Sequence, residues 1–305
     1  MIRRVAIVGV TGFVGRDLPA LFAERGVAVT GVSRSGQNPL PGIDRWQTPE
    51  TLDFSGHHAV INLAGEPINR RWNAQSRRRF HESRVGMTTR IVGAIAKLPE
   101  NARPKVLVNA SAVGIYGDRG DEILTETTRK GRDYLADLCS EWEHAARDAE
   151  SLGVRVVRLR SGVVLGKNGA AFGKLMAVFK LGIGGRLGSG MQWMSWIHLA
   201  DLRAAIVHAV FSESLAGPVN TTAPHPERNR DFTRKLAAAL HRPAIFPVPA
   251  FALKLALGGF ASALLASQRA VPAALEADGF RFHFPTLEAA LADLVSPSRS
   301  FSSTL

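Results

Sequence analysis

Gly9, Gly12 and Gly15, spaced three apart in the turn Val8-Gly9-Val10-Thr11-Gly12-Phe13-Val14-Gly15, are the residues of this chain that come nearest to a chemical task. An apolar run at 5–8 feeds the turn and a helical pattern at 13–25 leaves it. Glycines let backbone N–H groups come close to a phosphate, and the following helix N-terminus favours negative charge. The turn, with Thr11, Phe13 and Val14 between its glycines, is therefore expected to hold a dinucleotide, although the same spacing also fits a strand-to-helix turn with no ligand. A second apolar run at 27–32 ends in Ser33-Arg34. That is about twenty residues past the turn, where a βαβ unit places the residue that reads the adenosine ribose. An acidic residue there would accept from the 2′-hydroxyl of NAD. A hydroxyl and a guanidinium suit a 2′-phosphate instead, because the planar guanidinium fork makes paired charge-assisted hydrogen bonds. The expected cofactor is NADP.

Other groups offer less. His198 and Asp201 stand three apart, but the run Trp196-Ile197-His198 reads as a strand end entering a helix, with Asp201 in the first turn where a carboxylate is favourable. His57-His58 and the remaining histidines lack metal-ligand spacing, so no metal site is expected. Gly166-Lys167-Asn168 lacks the Ser/Thr and the spacing of a phosphate loop. A single cysteine, Cys139, excludes an internal disulfide framework and a Cys-based zinc site, and suits a reducing compartment. With 38 basic against 26 acidic residues the chain carries +12, which favours anionic partners. Much of the excess is arginine, as in Arg77-Arg78-Arg79, and composition explains it as readily as a binding surface does. No zinc finger, RNP-like motif or long basic tail accompanies the charge, so nucleic acid is not the expected partner. The first strand begins at once, so no signal peptide is expected, and no stretch has the length of a membrane span. These features point to the cytoplasm.

The elements that must position these groups alternate. Strand-like runs at 5–8, 27–32, 59–63, 105–109 and 154–159 are separated by helical patterns near 13–25, 74–97 and 132–151. The runs are short, β-branched and apolar throughout, as strands covered on both faces are. The fold class is α/β: a Rossmann-type doubly wound parallel sheet with a smaller, mostly helical C-terminal lobe. Residues 1–165 are assigned to the dinucleotide-binding domain, whose sheet is completed by about 195–222. Residues 166–194 and 223–297 form the second lobe, and 298–305 a disordered tail. Pro19 should kink the first helix or shift its start, and Asn73 should cap the long third-layer helix. The apolar stretch 250–266 reads as one or two buried helices. The glycine-dense loop 182–190 is a candidate substrate neighbour, with Gln192, Trp193 and Trp196 as pocket lining.

Spaced matches along almost the whole chain give a family resemblance. They include Asn62-Leu63-Ala64-Gly65-Glu66-Pro67-Ile68, Ser83-Arg84, Ser111-Ala112-Val113-Gly114-Ile115-Tyr116-Gly117, Trp142-Glu143, and Arg160-Ser161-Gly162-Val163-Val164-Leu165-Gly166. Further matches are Trp196-Ile197-His198, Asn220 with Ala223-Pro224, and the C-terminal Pro247-Val248-Pro249 and Gln268-Arg269. The chain resembles an atypical, extended-type short-chain dehydrogenase/reductase. More narrowly it is similar to an epimerase-like subgroup named for sugar-nucleotide epimerases and cell-division inhibitors, with its own small C-terminal domain. The resemblance implies NADP on the glycine turn, with Ser33 and Arg34 on the 2′-phosphate side. It implies Leu63, Ala64 and Gly65 against the adenosine region, Arg84 reaching the cofactor phosphates, and Val164 near the nicotinamide. It also implies a small sugar-like or anionic substrate, and dimerisation through the helices at 74–97 and 132–151.

The resemblance fails where catalysis is expected. Relatives use a Tyr to exchange the substrate hydroxyl proton and a Lys four residues on to lower its pKa. This chain has two tyrosines, and Gly120 follows Tyr116, and Leu138 follows Tyr134, at the fourth position. Aligned on Glu143, the Tyr and Lys slots fall near Leu135 and Cys139, and the usual Ser falls on Ala112, one place after Ser111. Three readings stay open. One is an oxidoreductase or epimerase with relocated acid–base groups, for which Ser111 and Tyr116 are the candidates. The second is a non-catalytic NADP-binding regulatory protein, and the third a nucleic-acid-associated protein.

Overall fold

The computed structural model describes residues 2–36, 40–167 and 169–296; the tail expected at 298–305 lies outside them. Strands β1 (Arg4–Val8), β2 (Ala28–Val32), β3 (Arg45–Gln47), β4 (Ala59–Asn62), β5 (Val106–Ala112), β7 (Arg155–Ser161) and β11 (Gly217–Thr221) form one sheet. Their order is β11-β7-β5-β4-β1-β2-β3, and every pairing is parallel. Three two-stranded pairs lie outside it: β6 (Ile123–Leu124) with β13 (Arg269–Ala270), β8 (Val163–Leu165) with β10 (Trp196–His198), and β9 (Trp193–Met194) with β12 (Glu227–Arg228). The sequence reading foresaw five of the sheet strands, and it placed the closing one inside 195–222. Edge strand β3 was not foreseen; its sequence, Arg-Trp-Gln, carries no apolar run.

Apolar residues fill both faces, which is why the strands do not alternate in polarity. Val5 and Ile7 of β1 pack with Leu18 and Phe22 of α1 (Leu18–Ala23) and with Leu202 and Ile206 of α6 (Leu199–Phe211). Ala6 and Val8 point the other way, onto Met87, Ile91 and Ile95 of α3 (Met87–Ala96) and Ala146 of α4 (Tyr134–Arg147). The architecture is a Rossmann-type doubly wound α/β fold. A third cluster joins Phe172 and Phe179 of α5 (Ala170–Lys180), Phe232 and Leu236 of α7 (Asn229–Ala239), and Leu287 and Leu291 of α11 (Leu287–Val295). Between α7 and α11 lie α8 (Ala250–Leu257), α9 (Phe260–Leu265) and α10 (Ala273–Ala277).

Local rules explain several boundaries. Pro19 sits in the first turn of α1, where its missing N–H costs nothing, so the helix starts at Leu18 behind a short 3-10 turn, Gly15–Asp17. The pattern at 74–97 is not one helix. Asn73 caps α2 (Ala74–His81) reciprocally with Ser76, each side chain accepting from the other's backbone N–H at 2.8 Å. A single π-helical turn, Glu82–Gly86, then separates α2 from α3. The stretch 250–266 forms two helices, but Phe251 and Leu255 of α8 are 74% and 75% exposed, so only its inner side, with Leu253, is buried. Among the described residues no helix is long and apolar enough to cross a membrane.

Candidate functional site

The strand order reverses direction between β1 and β4, and the glycine turn lies at the C-terminal ends of that pair, where open α/β sheets bind ligands. Gly9 has φ +79°, and a Cβ there would lie 3.1 Å from Ala64 N and from the Leu63 carbonyl. Glycine is thus required both by conformation and by the approach of the turn to the end of β4. At Gly15 a Cβ would sit 2.6 Å from Gly9 O, so this glycine lets the following helix pack on the turn. Gly12 differs. Its Cβ would lie 3.1 Å from Gly9 O, and the residue is exposed. A side chain there would crowd the turn, and its absence leaves the backbone exposed, as a phosphate cradle needs.

Arg203 of α6 orients this turn. Its Nε and Nη2 donate to the carbonyls of Val14 and Phe13, both at 2.9 Å. Among the described residues the N–H groups of Phe13 and Val14 donate to no protein acceptor. Carbonyls tied down on one side, with free donors beside Gly12 at a helix N-terminus, make an anion-binding geometry. Half-buried Thr11 lies in the same turn.

Arg84 completes the rim. The π turn aims it across Gly65, where a Cβ would lie 3.3 Å from its Cζ and Nη2. Its protein hydrogen bonds are long, 3.4 Å to Phe80 O and to Ser83 Oγ, and it makes no ion pair among the described residues. The guanidinium lies over the Trp142 ring at 5.3 Å. Burial lowers its pKa, partly offset by the neighbouring Cys139, Tyr134 and Glu66. A half-buried cation without an acid partner beside a glycine turn is what an anionic ligand would satisfy. Ser33, buried at the end of β2, and exposed Arg34 continue from the strand beside Gly9, whose N–H donates to Val32 O. Val164 lies in β8 opposite Ile197, packed on the same sheet core as Val10 and Val14.

Behind the rim lies a buried polar network that the sequence reading did not identify. Asn62 donates to Asn109 Oδ1 at 2.7 Å and to Thr88 Oγ1 at 2.9 Å, and the Trp142 indole N–H donates to Thr88 Oγ1. Asn62 Oδ1 in turn accepts from Ala64 N at 3.2 Å, which fixes the backbone the glycine turn rests on. The available signal was an Asn at the end of one apolar strand, in register with Asn109 on the next.

The two hydroxyls considered for catalysis are committed elsewhere. Tyr116 is fully buried; its hydroxyl donates to Asn220 Oδ1 at 2.7 Å and receives Arg160 Nη1 at 3.0 Å. Burial raises its pKa, opposed by Arg160. Ser111 Oγ donates to Glu143 Oε1 at 2.8 Å, and Glu143 is gripped from the other side by Arg160 at 2.7 and 2.9 Å. At the slots of the usual Tyr and Lys, Leu135 and Cys139 lie against Gly114. Burial pushes the Cys139 thiol up to about 12, with Glu143 adding to the shift. Native Cys139 should therefore resist alkylation by iodoacetamide at pH 8 and react only after denaturation; fast native labelling, followed by mass spectrometry, would contradict this placement.

Two further expectations resolve differently. Trp196 is core, fully buried with its indole N–H on His225 O, rather than pocket lining. Asp201, wholly buried, accepts from the backbone N–H groups of His283 and Phe284, so it ties the C-terminal segment to α6 in addition to standing in that helix's first turn. No metal-binding cluster occurs among the described residues.

Residues 5–220 match the NAD-dependent epimerase/dehydratase family, and residues 248–294 match a domain of unknown function, DUF1731. The chloroplastic epimerase family protein SDR39U1 homolog of Arabidopsis thaliana is 39% identical over 296 residues, 94% of this chain and 85% of that one. The crystal structure of the human epimerase family protein SDR39U1 with NADPH superposes with a TM-score of 0.87 at 35% identity, over 95% of this chain and 98% of that chain. A nucleoside-diphosphate sugar epimerase from Corynebacterium glutamicum superposes with a TM-score of 0.78 at 35% identity, over 96% of this chain and 58% of that one.

Proposed function

The chain belongs to the NAD-dependent epimerase/dehydratase family, and on that footing we propose that it is an atypical NADP(H)-binding short-chain dehydrogenase/reductase, acting as an oxidoreductase or epimerase on a small sugar-like or anionic metabolite. The observation that carries the cofactor reading is the anion cradle: Gly12, the free N–H groups of Phe13 and Val14, and unpaired Arg84 meet at the switch point of the sheet. Bound nicotinamide would supply hydride transfer at its C4. Leu63, Ala64 and Gly65 would flank the adenosine, Ser33 and Arg34 would meet the 2′-phosphate, and Val164 would lie toward the nicotinamide. The NADPH in the human relative agrees with this choice of cofactor.

Proton transfer does not follow the Tyr-Lys scheme. Of the two candidates, Tyr116 has its proton on Asn220 and its oxygen against Arg160, deep in the protein. Ser111, at the C-terminal end of β5 with its proton directed at Glu143, is the better placed, and its oxygen would accept a hydrogen bond from a substrate hydroxyl. The apolar Leu135 and Cys139 favour a second reading, a regulatory protein that binds NADP without turnover. Two measurements decide. Calorimetry should show NADPH bound more tightly than NADH; equal affinities would remove Arg34 from its assigned place. A structure with NADPH should show open space the size of a sugar ring above nicotinamide C4. Side chains packed onto C4 would end the enzyme reading and leave the regulatory one.

A further inference from the structure

The run Arg77-Arg78-Arg79 is not uniform in space. Arg77 stacks over the Tyr134 ring at 4.4 Å, between α2 and α4. Arg78 and Arg79 instead line a cleft of about 590 Å³ with Arg34, which comes from the loop after β2. Gln75, Arg78, Arg79 and Glu82 fall at i, i+3, i+4 and i+7, so one stripe of the helix faces this cleft.

The charge balance of the cleft is uneven. Its two carboxylates are both engaged by arginines outside it: Glu66 by Arg70 at 3.1 Å and Glu82 by Arg90 at 2.7 Å. Among the described residues Arg34, Arg78 and Arg79 have no side-chain hydrogen bond, ion pair or ring partner. Arg78 and Arg79 do not serve a helix C-terminus either, since the backbone runs on through the π turn into α3. Three guanidiniums on two facing elements thus border one space, and among the described residues none of them is paired with a carboxylate. That space is lined also by Ser83 and by Glu66, which follows Ala64 and Gly65, and Arg34 enters it directly after Ser33 at the end of β2.

We propose that Arg78 and Arg79 form, with Arg34, a two-sided clamp on the 2′-phosphate of NADP, so that the helix as well as the loop after β2 determines cofactor choice. The proposal rests on the assignment of the glycine turn as the dinucleotide site. Arg34 alone could approach the dianion from one side only. The helical pair supplies the opposite side, and the guanidinium fork suits phosphate oxygens better than an ammonium would. NADH, which lacks that phosphate, gains nothing from the pair.

The test uses the full chain and four probes: NADPH, NADH, adenosine 2′,5′-bisphosphate and AMP. The double variant Arg78→Ala/Arg79→Ala should bind NADPH and the bisphosphate about tenfold more weakly or worse, a loss typical of charge-assisted hydrogen bonds. Its affinity for NADH and AMP should stay within about twofold. Arg77→Ala, on the other side of the helix, should leave NADPH binding intact. The proposal falls if the double variant keeps its NADPH affinity while Arg34→Ala loses it, and the cofactor assignment then stands. It also falls if Arg77→Ala weakens NADPH as much as the double variant, since general positive charge would then be responsible. Wild-type protein that binds NADPH no better than NADH would overturn the cofactor assignment itself. Unchanged melting temperatures in the variants would separate these outcomes from misfolding.

Discussion

Glu143→Ala is expected to destabilise the protein by about 3–5 kcal/mol, a large part of a folding free energy of order 10 kcal/mol. Glu143 and Arg160 are both buried, their side chains 5% and 9% exposed, and they meet through two parallel hydrogen bonds. Ser111 adds a third bond to the carboxylate, and Arg158 approaches it at 3.5 Å. Burial opposes the Arg160 charge, but the hydrogen bonds and charge of Glu143 more than offset it and hold the guanidinium protonated. Truncation would strand one buried guanidinium beside a second. It would also release Ser111, and loosen Arg160 from Tyr116 and the Glu126 carbonyl. The damage would cross β5, β7 and α4 together. Denaturant unfolding measures it. Replacing both partners, Glu143→Leu with Arg160→Met, should recover part of the loss, because the cost is mainly that of an unpaired buried charge. A single variant as stable as wild type would show that solvent reaches the site.

This network marks the limit of what the sequence could convey. Sheet strands such as β1 and β2 were legible because burial on both faces makes them continuously apolar, and Gly9 and Gly15 because backbone crowding leaves no alternative. Tyr116 was legible as a hydroxyl but not in its engagement, since Asn220, its acceptor, is 104 residues away. Arg203 escaped notice for the same reason: it reaches Phe13 and Val14 from 190 and 189 residues on. The π turn at Glu82–Gly86 escaped notice because its extra residue moves the apolar positions by a single place in sequence, which i, i+3, i+4 spacing read loosely passes over. Yet that shift determines where Arg84 points.

Arg84→Ala should weaken NADPH and NADH alike, by about 1.5–3 kcal/mol, or roughly ten- to a hundredfold in Kd. Both cofactors share the pyrophosphate, so a residue that serves it cannot discriminate between them. This separates Arg84 from Arg78 and Arg79, whose loss should be felt by NADPH alone. Stability should change little. The side chain makes only two hydrogen bonds at 3.4 Å, and burial already disfavours its charge. Arg84→Lys should restore only part of the affinity, because a single ammonium cannot reproduce the planar fork or its packing over Trp142. Fluorescence titration with each cofactor reads the effect directly. Retained affinity for both would remove Arg84 from the phosphate rim. A loss confined to NADPH would move it to the 2′-phosphate and leave the pyrophosphate to the N–H groups of Phe13 and Val14. Equal loss for both would tie the π turn to cofactor binding, since that turn carries Arg84 across Gly65.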